Sequence, residues 1–226
     1  MKQYHNEKRT AVLSCIVILI LIFADFSSRT AVKNVMAAKT HIPVFCVETD
    51  KKELALTFSI CTDSDISGIL EALGDTKATF FADENVLAIK SETVRRIAGK
   101  GHEIGLLRSD LKGNSQHEIY DKMAETVEYA AGITGKNPSL VRFDTNSYDS
   151  NAVKAVFSLG LTPVQWSADS TAGQYSAGDI ILVTDGTDVK ELIKKITADG
   201  FRIVTVGELL IKGNYKIDIC GRMIPQ

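Results

Sequence analysis

The stretch Glu53-Leu-Ala-Leu-Thr-Phe-Ser59 and the loop that follows it, Ile60-Cys-Thr-Asp63, decide how the rest of the chain is interpreted. Leu54, Leu56 and Phe58 alternate with smaller or more polar residues, and the run is short and rich in β-favouring side chains. This pattern predicts a buried strand that ends in a polar turn. In α/β proteins the loops that follow such strands carry the chemistry, so this loop is the first place to look for reactive groups.

The composition is that of one globular domain with a sizeable core. The chain has 226 residues, of which 45% are hydrophobic and 24% are charged, and its formal net charge is −2. A chain of this length and apolar content buries enough surface to fold on its own. The near-neutral charge offers no basic surface, so we expect no nucleic-acid partner.

Residues 1–37 have the layout of a secretory signal peptide or of an N-terminal membrane anchor. Lys8 and Arg9 precede an uncharged apolar run from Ala11 to Ala24. The run is shorter than the ~20 residues that cross a bilayer comfortably, and Val35-Met-Ala37 is a weak cleavage site. Both interpretations stay open. Both predict an extracytoplasmic location, membrane-anchored or secreted, because the positive end stays inside.

The four cysteines follow no metal or disulfide pattern. No two of them have the spacing of metal ligands. Cys15 lies within the apolar N-terminal run, which leaves Cys46, Cys61 and Cys220 as an odd set. A bridge between Cys46 and Cys220 is one interpretation, and packed free thiols are the one we favour.

After a linker of residues 38–46, strand and helix patterns alternate along the chain. An acidic cap begins the first helix, Ser91 is expected to cap the next, and the capping box Ser115-Gln-His-Glu118 begins the longest, which Gly135 ends. The alternation predicts an α/β fold, with a parallel sheet or an incomplete barrel and helices outside it. Residues 213–226 are expected to form a C-terminal tail without a clear partner.

A set of short motifs occurs in one order between residues 47 and 210. They are Leu54-Ala-Leu-Thr-Phe58, Lys77-Ala-Thr-Phe-Phe81, Gly101-His-Glu-Ile-Gly105, Gly132-Ile-Thr-Gly135, Arg142, Ser147-Tyr148, Trp166-Ser167, Gly178-Asp-Ile-Ile-Leu182, Asp185-Gly186 and Phe201-Arg-Ile-Val-Thr-Val206. In this order and spacing the chain resembles the NodB-type polysaccharide deacetylase family. The resemblance implies a polysaccharide deacetylase-like domain over residues 47–212, folded as a distorted (β/α) barrel of about seven strands.

The resemblance also implies a chemistry, and this chain departs from it. Family members hydrolyse acetyl groups on wall or chitin-like glycans with a divalent metal, usually zinc, held by an Asp and two His, while another Asp serves as base and a His as acid. Here Ser59 stands at the position of the base and Ile60 at that of the metal carboxylate. Leu107 and Leu111 replace the two metal-binding His, and Thr184 replaces the acid His.

Isoleucine and leucine have no lone pair to offer a cation, so the metal site is not supported. None of the four histidines, His5, His41, His102 and His117, falls at a metal or acid position. We therefore predict no metal, no other cofactor and no catalytic residue.

Arg142, Trp166, Asp169 and Asp185 remain at family positions near the strand ends. On one interpretation they line a residual glycan groove, with Trp166 stacked on a sugar ring. On the other, which we favour, Trp166 belongs to the core and Arg142 pairs with Asp169 or Asp185.

Two other sites find less support in the sequence. Several aspartates fall in loops at one end of the predicted barrel and suggest a carboxylate site for calcium or magnesium. They are Asp63, Asp65, Asp110, Asp144, Asp169 and Asp185. Loop aspartates are more often helix caps and turn residues. Ser59 has no His near it in the pattern to activate it as a nucleophile.

Two functions follow, of different classes. The first is a non-catalytic deacetylase-like domain outside the membrane that binds cell-wall glycan or an envelope protein, in envelope or spore-coat assembly. The second is an active carbohydrate deacetylase whose site has been rebuilt from the loop acids. Metal content and acetate release separate the two, and we favour the first.

Overall fold

A computed structural model describes residues 42–144 and 147–226. The strands are β1 (Cys46–Val47), β2 (Glu53–Ile60), β3 (Thr79–Ala82), β4 (Glu103–Arg108), β5 (Leu140–Phe143), β6 (Thr162–Pro163), β7 (Ala168–Asp169), β8 (Ile180–Leu182), β9 (Arg202–Val204), β10 (Tyr215–Ile217) and β11 (Arg222–Pro225). The helices are α1 (Ile66–Leu73), α2 (Glu84–Ile89), α3 (Ser91–Gly99), α4 (Gln116–Thr134), α5 (Ser150–Ser158), α6 (Val189–Ala198) and α7 (Val206–Leu209).

The main sheet curls into an open half-barrel of parallel strands. Seven strands follow one another in the order β6-β5-β4-β3-β2-β8-β7, and the pairings along this path are parallel. Strand β9 pairs with the first residues of β2, and β3 pairs with the last residues of β2. The predicted fold class, a distorted (β/α) barrel of about seven strands, is therefore confirmed.

Strand β2 is the centre of this sheet. Its residues from Leu54 to Phe58 are all buried, so both of its faces are covered, as is typical of a parallel strand between layers. Phe58 stacks on Phe80 of β3, with ring centroids 4.9 Å apart. Because the strands are parallel, their carboxyl ends share one edge of the sheet, which we call the carboxyl edge.

Local capping chemistry sets several helix ends as the sequence predicts. The Asp65 side chain accepts from the Gly68 N–H at 3.0 Å and begins α1. Ser115 and Glu118 form the predicted capping box of α4, and Gly135 ends that helix in the left-handed region at φ 72°. The capping side chains accept hydrogen bonds from backbone N–H groups that the first turn of a helix leaves unpaired. The glycine adopts the left-handed conformation that ends a helix.

Two expectations differ from the structure. Ser91 is the first residue of α3 and not its cap, because the short helix α2 immediately precedes it and Lys90 joins the two. The expectation that residues 213–226 lack a partner is wrong. They form the antiparallel pair β10–β11, and β11 also pairs in parallel with β1, where Cys46 lies opposite Arg222.

The predicted signal or anchor segment, together with the start of the linker, lies outside the described residues. Within residues 42–144 and 147–226, no helix is both long enough and apolar enough to cross a membrane. Cys46, Cys61 and Cys220 are each free thiols. We expected packed thiols, but Cys61 and Cys220 are exposed.

Candidate functional site

The carboxyl edge gathers the residues that the sequence singled out. Ser59 and Ile60 end β2, and Leu107 lies next to Arg142 in the pairing of β4 with β5. Thr184 lies two residues after the end of β8. In barrels of this kind the carboxyl ends of the strands carry the reactive groups.

The three positions expected to hold a metal are apolar and packed into the core. Ile60 is 1% exposed and Leu111 is 0% exposed, while Leu107 is half-buried and packs against the same cluster. None of these side chains can donate a lone pair to a cation, so the residues present do not fit a zinc ion. In the described part of the chain, no three His, Cys, Asp or Glu side chains lie together as a metal-binding group.

Three of the six loop aspartates have partners that give them a structural role. Asp65 caps α1, and Asp110 accepts from Arg108 Nη2 at 3.0 Å. Asp169 accepts from the Thr171 hydroxyl at 2.5 Å and from its N–H at 2.8 Å, and these bonds hold the pKa of Asp169 below its usual range. These three carboxylates therefore act as helix cap, ion-pair partner and turn residue.

Arg142 is buried without the ion pair that we predicted. It is 1% exposed, and its Nη2 donates to Thr57 Oγ1 at 2.9 Å and to the Gln165 carbonyl at 3.4 Å. Its Nη1 lies 3.5 Å from Ser59 Oγ. Neither Asp169 nor Asp185 forms an ion pair with it, so that prediction is wrong. Burial lowers the pKa of Arg142 to about 9, because removal from water disfavours the charged form of the guanidinium.

Two aromatic rings enclose the Arg142 guanidinium. Its Cζ lies 4.1 Å from the centroid of the Phe81 ring and 5.4 Å from that of Trp166. Trp166 is half-buried and packs against the core. The rings attract the cation and shield it from water.

Thr184, at the position of the acid, belongs to a cluster of hydroxyl groups. Its Oγ1 lies 2.8 Å from Ser170 Oγ, and Ser170 Oγ lies 2.6 Å from Thr187 Oγ1. A threonine hydroxyl does not titrate near neutral pH, so it cannot replace an imidazole as a general acid. His102 and His117 do not bond to Ser59 or Thr184 in the described residues, and His117 faces Asp121 at 3.6 Å.

The nucleophilic side chains at this edge are not activated. Ser59 Oγ accepts a long hydrogen bond from Arg142, and this contact does not remove the hydroxyl proton as a general base would. Burial raises the pKa of the Cys61 thiol, and Asp83 and Asp63 raise it further. Cys61 is thus a thiol at neutral pH, whereas a nucleophile needs the thiolate.

A cleft of about 410 Å³ opens at the carboxyl edge between α1 and α6. Its lining includes the apolar residues Phe58, Ile69 and Val183, which are buried or half-buried and which we call its floor. We call its polar lining residues the rim, and these are Ser59, Ser64, Asp65, Thr184, Asp185, Thr187, Asp188 and Lys190. Of the four residues assigned to substrate binding, only Asp185 lines this cleft. Sequence reasoning missed the rest of the rim, although the polar run Thr184-Asp-Gly-Thr-Asp188 directly after a strand is a signal for it.

A polysaccharide deacetylase family model matches residues 47–164. Among solved structures, a CE4 family pseudoenzyme from Bacillus anthracis is 20% identical with a TM-score of 0.69, and the match covers 82% of this chain and 73% of that one. A mutant of that pseudoenzyme with restored enzymatic activity is 22% identical with a TM-score of 0.67, covering 74% and 71%.

Active enzymes share the fold as well. A chitin deacetylase from Colletotrichum lindemuthianum is 24% identical with a TM-score of 0.65, and the match covers 76% of this chain and 93% of that one. A peptidoglycan N-acetylglucosamine deacetylase is 24% identical with a TM-score of 0.68, covering 76% and 94%. No curated protein matches the chain significantly. The match to more than half of the sequence shows that this chain belongs to the polysaccharide deacetylase family.

Proposed function

We propose that this chain is a non-catalytic member of its family that binds a cell-wall glycan or an envelope protein outside the cytoplasm. The observation that carries the proposal is the apolar packing of Ile60, Leu107 and Leu111 at the carboxyl edge. Deacetylation of this type needs a Lewis acid and a proton donor, and these side chains supply neither.

The loss extends beyond the metal. Ser59 replaces a carboxylate base and is a hydrogen-bond acceptor for a buried cation, and Thr184 is bonded into a hydroxyl cluster. An enzyme that loses one catalytic group keeps some activity. Here several catalytic groups are replaced, so several substitutions would be needed to recover the reaction. The similarity in fold to a CE4 family pseudoenzyme supports this interpretation, because the same scaffold exists without activity.

Binding finds support in the cleft between α1 and α6. An apolar floor with a rim of hydroxyl and carboxylate groups suits a sugar ring, which has an apolar face and a polar edge. The extracytoplasmic location and attachment to the membrane through residues 1–37 remain part of the proposal, and they rest on the sequence pattern.

The test uses the full-length chain with insoluble peptidoglycan and chitin. We expect retention on one of these glycans and no acetate release with added zinc. Asp185→Asn, within the cleft, should weaken retention, and Asp75→Asn, at an exposed position before β3, should not. Acetate release above that of a Ser59→Ala variant would instead establish an active deacetylase with a rebuilt site.

A further inference from the structure

A second cleft, of about 380 Å³, opens at the opposite edge of the half-barrel, where the strands begin. We call it the amino-edge cleft. It lies where α3 and α4 end and α7 begins, and its lining includes His102 and Glu103 at the start of β4. It shares no lining residue with the cleft between α1 and α6, so a ligand here goes beyond the proposed function.

His102 presents an unpaired N–H group to the amino-edge cleft. The residue is 6% exposed, and its Nδ1 accepts from the Ala78 N–H at 3.3 Å. Burial lowers the pKa of His102 to about 4, so the ring is neutral at neutral pH and carries its one proton on Nε2. Nε2 has no hydrogen-bond partner within residues 42–144 and 147–226, yet it is not fully buried. This donor is therefore available to a ligand.

The His102 ring is held in position before any ligand arrives. The Ala78 N–H fixes one edge of the ring. Phe80 of β3 contacts it edge to face, with ring centroids 5.3 Å apart and an interplanar angle of 72°. A donor that is already oriented loses little freedom when it binds.

Glu103 adds a hydrogen-bond acceptor beside this donor. Its Oε2 accepts from the Thr79 hydroxyl and from the Gly207 N–H, each at 2.8 Å. Its Oε1 accepts from no group in the described part of the chain, and it too is not fully buried. The carboxylate is thus fixed through one oxygen and offers the other.

The amino-edge cleft combines this donor and this acceptor with apolar surface. Ile104 is 9% exposed, Pro138 is buried and Ala98 is half-buried, and all three line the cleft. A secondary amide that carries a methyl group matches these properties, because its carbonyl accepts, its N–H donates and its methyl is apolar. A carboxylate cannot donate to Glu103, and an ammonium group cannot accept from His102.

The rest of the lining suits a neutral polyhydroxy ligand. Its other polar residues carry hydroxyl groups, an amide and charges of both signs, and they are Thr134, Lys136, Asn137, Ser139, Thr205 and Glu208. Such groups hydrogen-bond to the hydroxyl groups of a sugar. We propose that the amino-edge cleft binds an N-acetylated sugar, whose acetamido carbonyl accepts from His102 and whose acetamido N–H donates to Glu103.

NMR spectra of the histidine rings in the full-length chain test the ligand class. The probes are N-acetylglucosamine, glucose, which has a hydroxyl in place of the acetamido group, and N-acetylalanine methylamide, which carries that group on a peptide. We expect N-acetylglucosamine to shift the His102 signals saturably, with an affinity at least about tenfold above that of either other probe. The His102→Asn variant identifies the signals by their absence.

Three results would overturn the proposal. His102 signals that N-acetylglucosamine does not move would exclude the site. Equal affinity for glucose would exclude recognition of the amide, and equal affinity for the peptide would exclude the assignment to a sugar.

Glu103→Gln tests the acceptor. The Thr79 hydroxyl and the Gly207 N–H still need an acceptor, so the amide oxygen takes the place of Oε2 and the NH₂ group that of Oε1. A donor then faces the ligand N–H, and the affinity for N-acetylglucosamine should fall at least about tenfold. Glu128→Gln makes the same change at an exposed position of α4 outside the cleft and should keep the affinity within about twofold. Equal affinities in the two variants would overturn the proposal.

Two outcomes separate this inference from the proposed function. Retention on a glycan that Asp185→Asn weakens, with His102 signals that N-acetylglucosamine leaves unmoved, would leave the proposed function intact and overturn the amino-edge site. A shift of the His102 signals that Glu103→Gln abolishes would support the site, whether or not Asp185→Asn changes retention.

Discussion

Glu103 at the amino edge of the half-barrel and Arg142 at its carboxyl edge have opposite surroundings. At the amino edge, where the strands begin, Glu103 accepts from the Thr79 hydroxyl and from the Gly207 N–H, each at 2.8 Å. This carboxylate joins β3, β4 and α7. At the carboxyl edge, Arg142 has only neutral partners and Ile60 fills a position expected to bind a metal.

The groups that stabilise the fold are therefore distinct from the groups that the family's chemistry requires. The bonds of the amino edge tie three elements together, so they stabilise the structure whatever the protein does. In barrels of this kind the carboxyl edge carries the ligand-binding side chains, and replacing side chains there leaves the backbone pairing of the strands unchanged. On the proposed function, the fold persists although the catalytic groups are replaced.

Glu103→Ala should give a large loss of stability. It leaves the Thr79 hydroxyl and the Gly207 N–H without their acceptor, and we expect a loss of about 2–3 kcal/mol in the free energy of unfolding. Denaturant titration measures it. Glu103→Gln keeps an acceptor oxygen and should lose less than about 1 kcal/mol. Similar losses in both variants would show that these hydrogen bonds do not stabilise the amino edge.

His102 should make the amino edge sensitive to acid. Burial lowers its pKa from 6.5 to about 4, and Lys77 and Lys100 add to the shift. The unfolded chain therefore binds more protons than the folded one between pH 6.5 and 4, and stability falls as pH falls through this window. Relative to His102→Gln, the protein should lose about 1–2 kcal/mol across it. Parallel stability curves for the two proteins would contradict this expectation.

Arg142→Met should change stability least, because it removes a buried charge that has no counter-ion. We expect the free energy of unfolding to stay within about 1 kcal/mol of that of the unchanged protein. Arg142→Ala removes volume as well and should cost about 3 kcal/mol. A loss with Arg142→Met as large as with Glu103→Ala would mean that Arg142 stabilises the fold as strongly as the amino-edge network does.

Local signals in the sequence predicted most of the fold. Three of these signals are the alternation in Leu54, Leu56 and Phe58, the capping box at Ser115 and the helix end at Gly135. Each depends on residues close together in the chain, so the sequence alone predicts it. The pairing of β11 with β1 was missed, because Cys46 and Arg222 meet over a long separation and both strands are short.

The candidate site was predicted only in part for the same reason. The replaced positions Ser59 and Ile60 are visible from their place in a motif. The surroundings of Arg142 depend on β2, β3, β5 and the segment after β6, which the sequence does not place relative to one another. The cleft likewise joins α1 to α6, whose residues lie far apart in the chain.

Zinc titration of two proteins side by side tests the central claim most directly. One is the unchanged chain, and the other carries Ile60→Asp, Leu107→His and Leu111→His. We expect no stoichiometric zinc in the first and one bound zinc per chain in the second, since only the second has the lone pairs that the ion needs. Tight stoichiometric binding of zinc by the unchanged chain at the carboxyl edge would contradict it.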